Sequence, residues 1–125
     1  MTTDPPSTIP AHPQRRFPHG SGVEYEGGTE FRLTPERERA TPDLAETVAG
    51  ILADGPYRYG DFLRLPMPLY LLKDDETGDV FRLSVREGTV RLHVLPATDS
   101  AGLRALYDRL TDRTSVGWSV ECRTE

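Results

Sequence analysis

The clearest pattern in the chain is the alternation of apolar and polar residues over positions 80–95. Apolar side chains occupy every second position on both sides of Glu87-Gly88, which predicts a β-hairpin with one apolar face. Pairing Val85 with Val90 brings the apolar residues of the two strands together. A shift of one residue would place arginines among them, so the pattern also predicts the register.

Two further segments have the apolar spacing of helices that bury one side. Thr41 followed by proline predicts the start of a helix over residues 42–54, and Thr98 or Asp99 predicts the cap of a second helix over roughly 100–112. We expect both helices to cover the apolar face of the hairpin.

Alternation also predicts a strand at residues 68–73 before the hairpin and a final strand at 116–122. Residues 57–66 have no clean period, and we interpret them as a loop with a helical turn. The predicted fold is an α+β two-layer sandwich. It has an antiparallel sheet of about four strands, namely a three-stranded meander plus a C-terminal strand. Two helices lie on one face, in the order α-β-β-β-α-β.

The N-terminal third differs from the rest in composition. Residues 1–22 contain five prolines and few apolar side chains, which predicts a disordered Pro-rich tail. Residues 23–41 predict a peripheral ribbon or linker, because a tight turn at Gly27-Gly28 would set the apolar faces of its two halves out of phase. The α+β domain itself is predicted to span 42–125.

Net charge narrows the choice of partners. The 125-residue chain carries a formal charge of −5, which argues against nucleic acid as a general partner. The C-terminal part is different, since residues 80–125 contain seven arginines against six acidic residues. Any attraction for anions is therefore expected there.

In the predicted register, one face of the sheet turns away from both helices and carries a mixture of arginine and leucine. Arg82 would lie opposite His93, so we expect His93 to resist protonation or to recruit an acid. Arginine beside apolar area is typical of protein interfaces, and guanidinium groups also bind phosphate. The candidate interaction face comprises Leu69, Leu71, Arg82, Arg86, Arg91 and His93.

Three functions are compatible with this face. The first is a non-catalytic protein-interaction or adaptor module whose partner is another protein or a second copy in a homodimer. The alternatives are anion or nucleic-acid binding through the arginines, and a small enzyme with an unrecognised site. An enzyme would require a pocket with two or more convergent polar groups near His93 or residues 57–63.

Direct signals for chemistry are sparse. The chain has one cysteine, Cys122, which alternation directs toward the core, and no nucleophile or phosphate-loop motif. We therefore expect no catalytic, cofactor-binding or metal-binding residues. The start of the chain lacks the basic and apolar regions of a secretion signal, and no apolar run approaches the roughly 20 residues that a bilayer requires. We expect a cytoplasmic protein without a membrane partner.

Overall fold

A computed structural model describes residues 9, 14–16, 24–26, 28–61 and 69–124. Within these ranges lie eight strands and two helices. In chain order they are β1 (Gln14–Arg16), β2 (Glu24–Glu26), β3 (Thr29–Pro35), α1 (Thr41–Asp54), β4 (Tyr57–Asp61), β5 (Leu69–Asp74), β6 (Val80–Arg86), β7 (Thr89–Val94), α2 (Ser100–Thr114) and β8 (Trp118–Thr124).

Six of the strands form one sheet in the order β4-β5-β6-β7-β3-β8, with every neighbouring pair antiparallel. The apolar sides of α1 and α2 join one face of this sheet in a single buried cluster. The predicted α+β class is confirmed, with six strands in the sheet rather than about four. No described helix is both long enough and apolar enough to cross a membrane.

The central hairpin has the register that the alternation predicts. Val85 faces Val90, and Leu83 faces Leu92. The turn between the strands consists of two residues with positive φ, Glu87 at 52° and Gly88 at 73°. Positive φ at both central positions matches the right-handed twist of the flanking strands, which is why such turns favour tight hairpins.

The described part of residues 23–41 is not solely a peripheral ribbon, because β3 lies inside the six-stranded sheet between β7 and β8. Phe31 pairs with Leu92 on one side, and Leu33 pairs with Val120 on the other. A local hairpin across Gly27-Gly28 would set the apolar faces out of phase, but pairing with distant strands does not. The two strands outside the six-stranded sheet, β1 and β2, form a separate two-stranded sheet.

Residues 57–61 are a strand rather than a loop. Strand β4 pairs with β5 at the edge of the sheet, and the rings of Tyr59 and Tyr70 meet edge to face with centroids 5.8 Å apart. Such cross-strand aromatic contacts stabilise a sheet without strict alternation. The helical turn is predicted near residues 61–65, and residues 62–65 lie outside the described residues.

Three smaller predictions need correction. Residues 14–16, within the predicted disordered tail, form β1, and most other positions of that tail lie outside the described residues. Cys122 is exposed, because it lies near the end of the edge strand β8 even though it pairs with Phe31. Thr41 is the first residue of α1 rather than its cap, and its hydroxyl accepts a hydrogen bond from the Gly88 N–H at 2.9 Å.

The start of α2 is held by the buried carboxylate of Asp79, the residue just before β6. Asp99 is the N-cap, and Asp79 accepts hydrogen bonds from the N–H groups of Asp99 at 2.7 Å and Gly102 at 3.1 Å. Burial raises the pKa of Asp79, whereas these N–H groups and that of Val80 oppose the rise. A Cβ at Gly102 would lie 2.5 Å from the Asp79 carboxylate, so only glycine fits there.

Candidate functional site

The face of the sheet turned away from the helices contains an open depression of about 630 Å³, called here the outer groove. This volume is within the range of small-molecule sites. The apolar side chains that line it include Leu69, Leu71, Leu95 and Pro96. The polar side chains that line it are Glu30, Arg82, Ser84, Arg86, Arg91 and His93. The structure thus places all six residues of the predicted interaction face in one groove.

Strand register brings these residues into parallel rows. Leu71 on β5 lies opposite Arg82 on β6, and Arg82 lies opposite His93 on β7. His93 in turn lies opposite Glu30 on β3. The groove therefore changes from apolar to cationic to hydrogen-bonded polar groups across four adjacent strands.

Within this groove, a serine and a histidine that are hydrogen-bonded to each other lie close to a glutamate. The Ser84 Oγ is 2.9 Å from the Nε2 of His93, and the Nδ1 of His93 is 3.5 Å from a carboxylate oxygen of Glu30. The second oxygen of Glu30 accepts a hydrogen bond of 2.7 Å from Arg32. We call Ser84, His93 and Glu30 the Ser–His–Glu chain.

The protonation states of this chain follow from its surroundings. Burial lowers the pKa of His93 below its ordinary value, the charge of Glu30 opposes this, and the charges of Arg82, Arg91 and Arg32 add to it. The net effect disfavours the protonated form of His93. Glu30 is the acid beside His93, and burial lowers the pKa of His93 more than Arg82 does.

Glu30 is the charged member of the chain. Burial raises its pKa, but the hydrogen bond from Arg32 and the charges of His93, Arg32 and Arg91 outweigh that effect, so the net shift is downward. A carboxylate beside Nδ1 favours the tautomer that carries its proton on Nδ1. The Nε2 of His93 is then an acceptor, and the Ser84 hydroxyl donates to it.

The three arginines of the groove differ in how they are held. The side chain of Arg91 is only 11% exposed, and it donates to Thr89 at 3.1 Å and to Glu87 at 3.5 Å. Arg86 lies 3.8 Å from the Glu87 carboxylate. Among the described residues, the guanidinium of Arg82 has neither a hydrogen bond nor an ion pair. Arg82 is therefore available to an external anion.

Two polar members of the groove, Ser84 and Glu30, were not among the predicted site residues. Alternation places Ser84 on the outer face, but a lone serine on a strand is no signal of chemistry. Glu30 belongs to β3, and the alternation within β3 does not show that this strand pairs with β7.

In the second predicted region for an enzyme pocket, residues 62 and 63 lie outside the described residues, and Tyr57 contributes to the core. Tyr57 is buried, and its hydroxyl accepts a hydrogen bond of 2.7 Å from Arg109 on α2. Burial raises the pKa of Tyr57 to about 12, although Arg109 opposes the rise. Tyr57 therefore joins β4 to α2 and does not line the outer groove.

The described residues contain no group of three or more His, Cys, Asp or Glu side chains that could hold a metal ion. Comparison with models of known protein families gave no match, and searches of curated proteins and of solved structures found no significant similarity.

Proposed function

We propose that the protein binds a small anion with an apolar body, called here an amphipathic anion, in the outer groove. The observation that carries this proposal is the pairing of Arg82 with Leu71. The guanidinium of Arg82 is unpaired among the described residues, and the neighbouring Leu71 is 41% exposed. A cation and an apolar side chain thus lie side by side at the surface of one groove.

The charge of the groove supports an anionic ligand. Three arginines and one glutamate line it, although the whole chain carries a formal charge of −5. Guanidinium groups bind carboxylate or phosphate through paired N–H donors, and apolar walls bury the remainder of a ligand. The anionic group would contact Arg82, while the apolar body would lie along Leu69 and Leu71.

Self-association through this face is less favourable. A two-fold dimer would place the same patch on both copies, so a groove with three arginines and one glutamate would face a second groove of the same charge. Like charges in an interface oppose association. The charge that disfavours a second copy favours an anionic ligand, so we place the protein-interaction function second.

Nucleic acid is also a poorer match for the groove. Single-stranded nucleic acids bind to sheets on which aromatic side chains stack with the bases. On the described part of the outer face, His93 is the only aromatic ring, and Tyr57 and Tyr59 pair with residues of the opposite face. We therefore favour a small ligand.

The test uses 8-anilinonaphthalene-1-sulfonate, an amphipathic anion whose fluorescence rises in apolar sites. We expect saturable binding that is displaced by decanoate and far less by decanol. Arg82→Ala should weaken binding about tenfold or more, because a hydrogen bond to a charged group contributes about 1.5–3 kcal/mol. Leu71→Asp should weaken it as well, by removing apolar area and adding like charge.

Arg104→Ala is the matched control, because it makes the same change in net charge at an exposed position on α2. Binding that is equally weakened in Arg104→Ala and Arg82→Ala would contradict the proposal, and so would equal displacement by decanol and decanoate. A mass that rises with concentration and falls in Leu71→Asp would favour the protein-interaction function instead.

A further inference from the structure

We infer that the Ser–His–Glu chain is a nucleophilic centre that hydrolyses an ester whose acyl part is an amphipathic anion. This inference rests on the proposed function, since the outer groove would hold that acyl part beside Ser84. It adds a reaction to a site that otherwise only binds.

The geometry meets the requirements for an activated serine. A serine nucleophile needs a base within about 2.6–3.2 Å, and the base needs a third group that orients it. The Ser84 Oγ is 2.9 Å from His93, and Glu30 lies 3.5 Å from the other ring nitrogen. Such triads are recognised by geometry and not by the order of their residues along the chain.

The charge state also suits base catalysis. Burial is the largest cause of the lowered pKa of His93. The charged groups that face it are Glu30 and Arg32 from β3, Arg82 from β6 and Arg91 on its own strand, and of these only Glu30 opposes the shift. A neutral imidazole at neutral pH can accept the serine proton. Glu30, which keeps its charge, stabilises the imidazolium that forms.

The reaction balances with water as the only co-reactant. The Ser84 Oγ bonds to the ester carbonyl carbon as His93 takes its proton, and the bond to the alcohol oxygen breaks as His93 returns that proton to the departing alcohol. Water then attacks the acyl-serine through the same base. The products are a carboxylic acid and an alcohol, and Ser84 is restored.

Stabilisation of the transition state is assigned to side chains rather than to the backbone. Strand β6 is paired on both sides, with β5 and with β7, so its N–H groups serve the sheet. Arg82 lies two residues before Ser84 on the same face, and Arg91 lies directly opposite Ser84. Arg91 would stabilise the oxyanion, a contribution that is often the largest in such reactions, while Arg82 holds the anionic group of the acyl part.

A purely structural role for the chain makes a different prediction. Ser84 is only 4% exposed, so its hydrogen bond with His93 could simply satisfy two partly buried groups. In that case Ser84 would not react with an electrophile faster than another serine of the sheet. Reactivity of Ser84 and its dependence on His93 therefore distinguish the two roles.

The experiment treats the full chain with a fluorophosphonate and locates the adduct by intact mass and peptide mapping. We expect one adduct, on Ser84, and none in Ser84→Ala. His93→Gln should slow the reaction about a hundredfold or more. Ser119→Ala is the matched control, since Ser119 also lies on the outer face but donates to the Thr34 carbonyl. In this variant the adduct on Ser84 should form at the normal rate.

The pH profile tests the positioning role of Glu30. The labelling rate should rise with pH and level off above the pKa of His93, which lies below 6.5. In Glu30→Gln the midpoint should move to lower pH, because the Glu30 charge raises the pKa of His93. A solely structural role for Glu30 would leave the midpoint where it was. Circular dichroism verifies that each variant is folded.

Failure of this inference is separable from failure of the proposed function. Dye binding without any adduct on Ser84 would overturn hydrolysis and leave the binding function intact. An adduct that forms equally fast in His93→Gln would also overturn it. An adduct that requires His93, in a protein that does not bind the dye, would overturn the proposed ligand class and support the nucleophilic centre. With the centre supported, release of 4-nitrophenol from the mono-4-nitrophenyl ester of suberic acid, whose acyl part ends in a carboxylate, would measure turnover.

Discussion

The two faces of the β6–β7 hairpin share one backbone and differ in almost every other property. The helix-side residues are completely buried and apolar, namely Phe81, Leu83, Val85, Val90 and Leu92. The residues between them face the outer groove and are polar, namely Arg82, Ser84, Arg91 and His93. A step of one residue therefore separates the core from the candidate site.

This difference indicates which face is needed for folding. Burial of apolar side chains supplies most of the stability of a domain, whereas exposed ion pairs contribute about 0–1 kcal/mol. On the outer face, Arg82 even lies opposite His93, an arrangement that opposes protonation of the histidine. The core is therefore expected to supply most of the stability, and the polar groups of the outer face are the ones to which we assign a function.

The largest effect expected from this comparison is at Leu83. Leu83→Ala should lower the free energy of unfolding by about 2–5 kcal/mol, because it leaves a cavity in a fully buried site. Arg82→Ala, one position away, should change it by no more than about 0.5 kcal/mol. Urea denaturation of both variants measures the contrast. A loss of similar size at both positions would show that the outer face also determines stability.

A smaller effect is expected at Asp79, a polar group on the buried side of the molecule. Asp79→Ala should cost about 1–3 kcal/mol, because it leaves the N–H groups of Asp99 and Gly102 without their acceptor. Asp75→Ala, in the exposed turn after β5, is the matched control and should lie within about 0.5 kcal/mol of the parent chain. Equal losses would mean that removal of negative charge, rather than loss of the helix cap, sets the result.

The same comparison shows what a sequence can predict. Alternation over residues 80–95 and helical spacing over 42–54 and 100–112 are local, so the hairpin, its register and both helices follow from them. Strand β3 is different, since its partners β7 and β8 lie far along the chain and its own alternation does not identify them.

The residues of the candidate site also differ in whether a local pattern predicts them. Arg82 and His93 belong to the hairpin, so their shared face is predictable from local pattern. Ser84 is on that face too, but only the hydrogen bond to His93 distinguishes it from any exposed serine. Glu30 comes from β3, so the acid beside His93 could be expected in kind but could not be named.

The smallest of these effects on stability is the pH dependence contributed by His93. In the folded chain its pKa lies below the ordinary value of 6.5, so the unfolded chain takes up the proton first as pH falls. The contribution of His93 to stability is complete above that value and is lost as pH falls toward the folded pKa. We expect it to be small, because the side chain is 35% exposed and its charges are screened by solvent.

In urea denaturation at about pH 7 and about pH 5.5, the parent chain should lose more stability than His93→Gln does. His19→Gln, outside the described residues, is the control and should behave like the parent chain. A His93→Gln variant with an unchanged pH dependence would mean that His93 takes up its proton as readily in the folded chain as in the unfolded one. The base assigned to Ser84 would then be protonated over part of the pH range in which labelling should be fast.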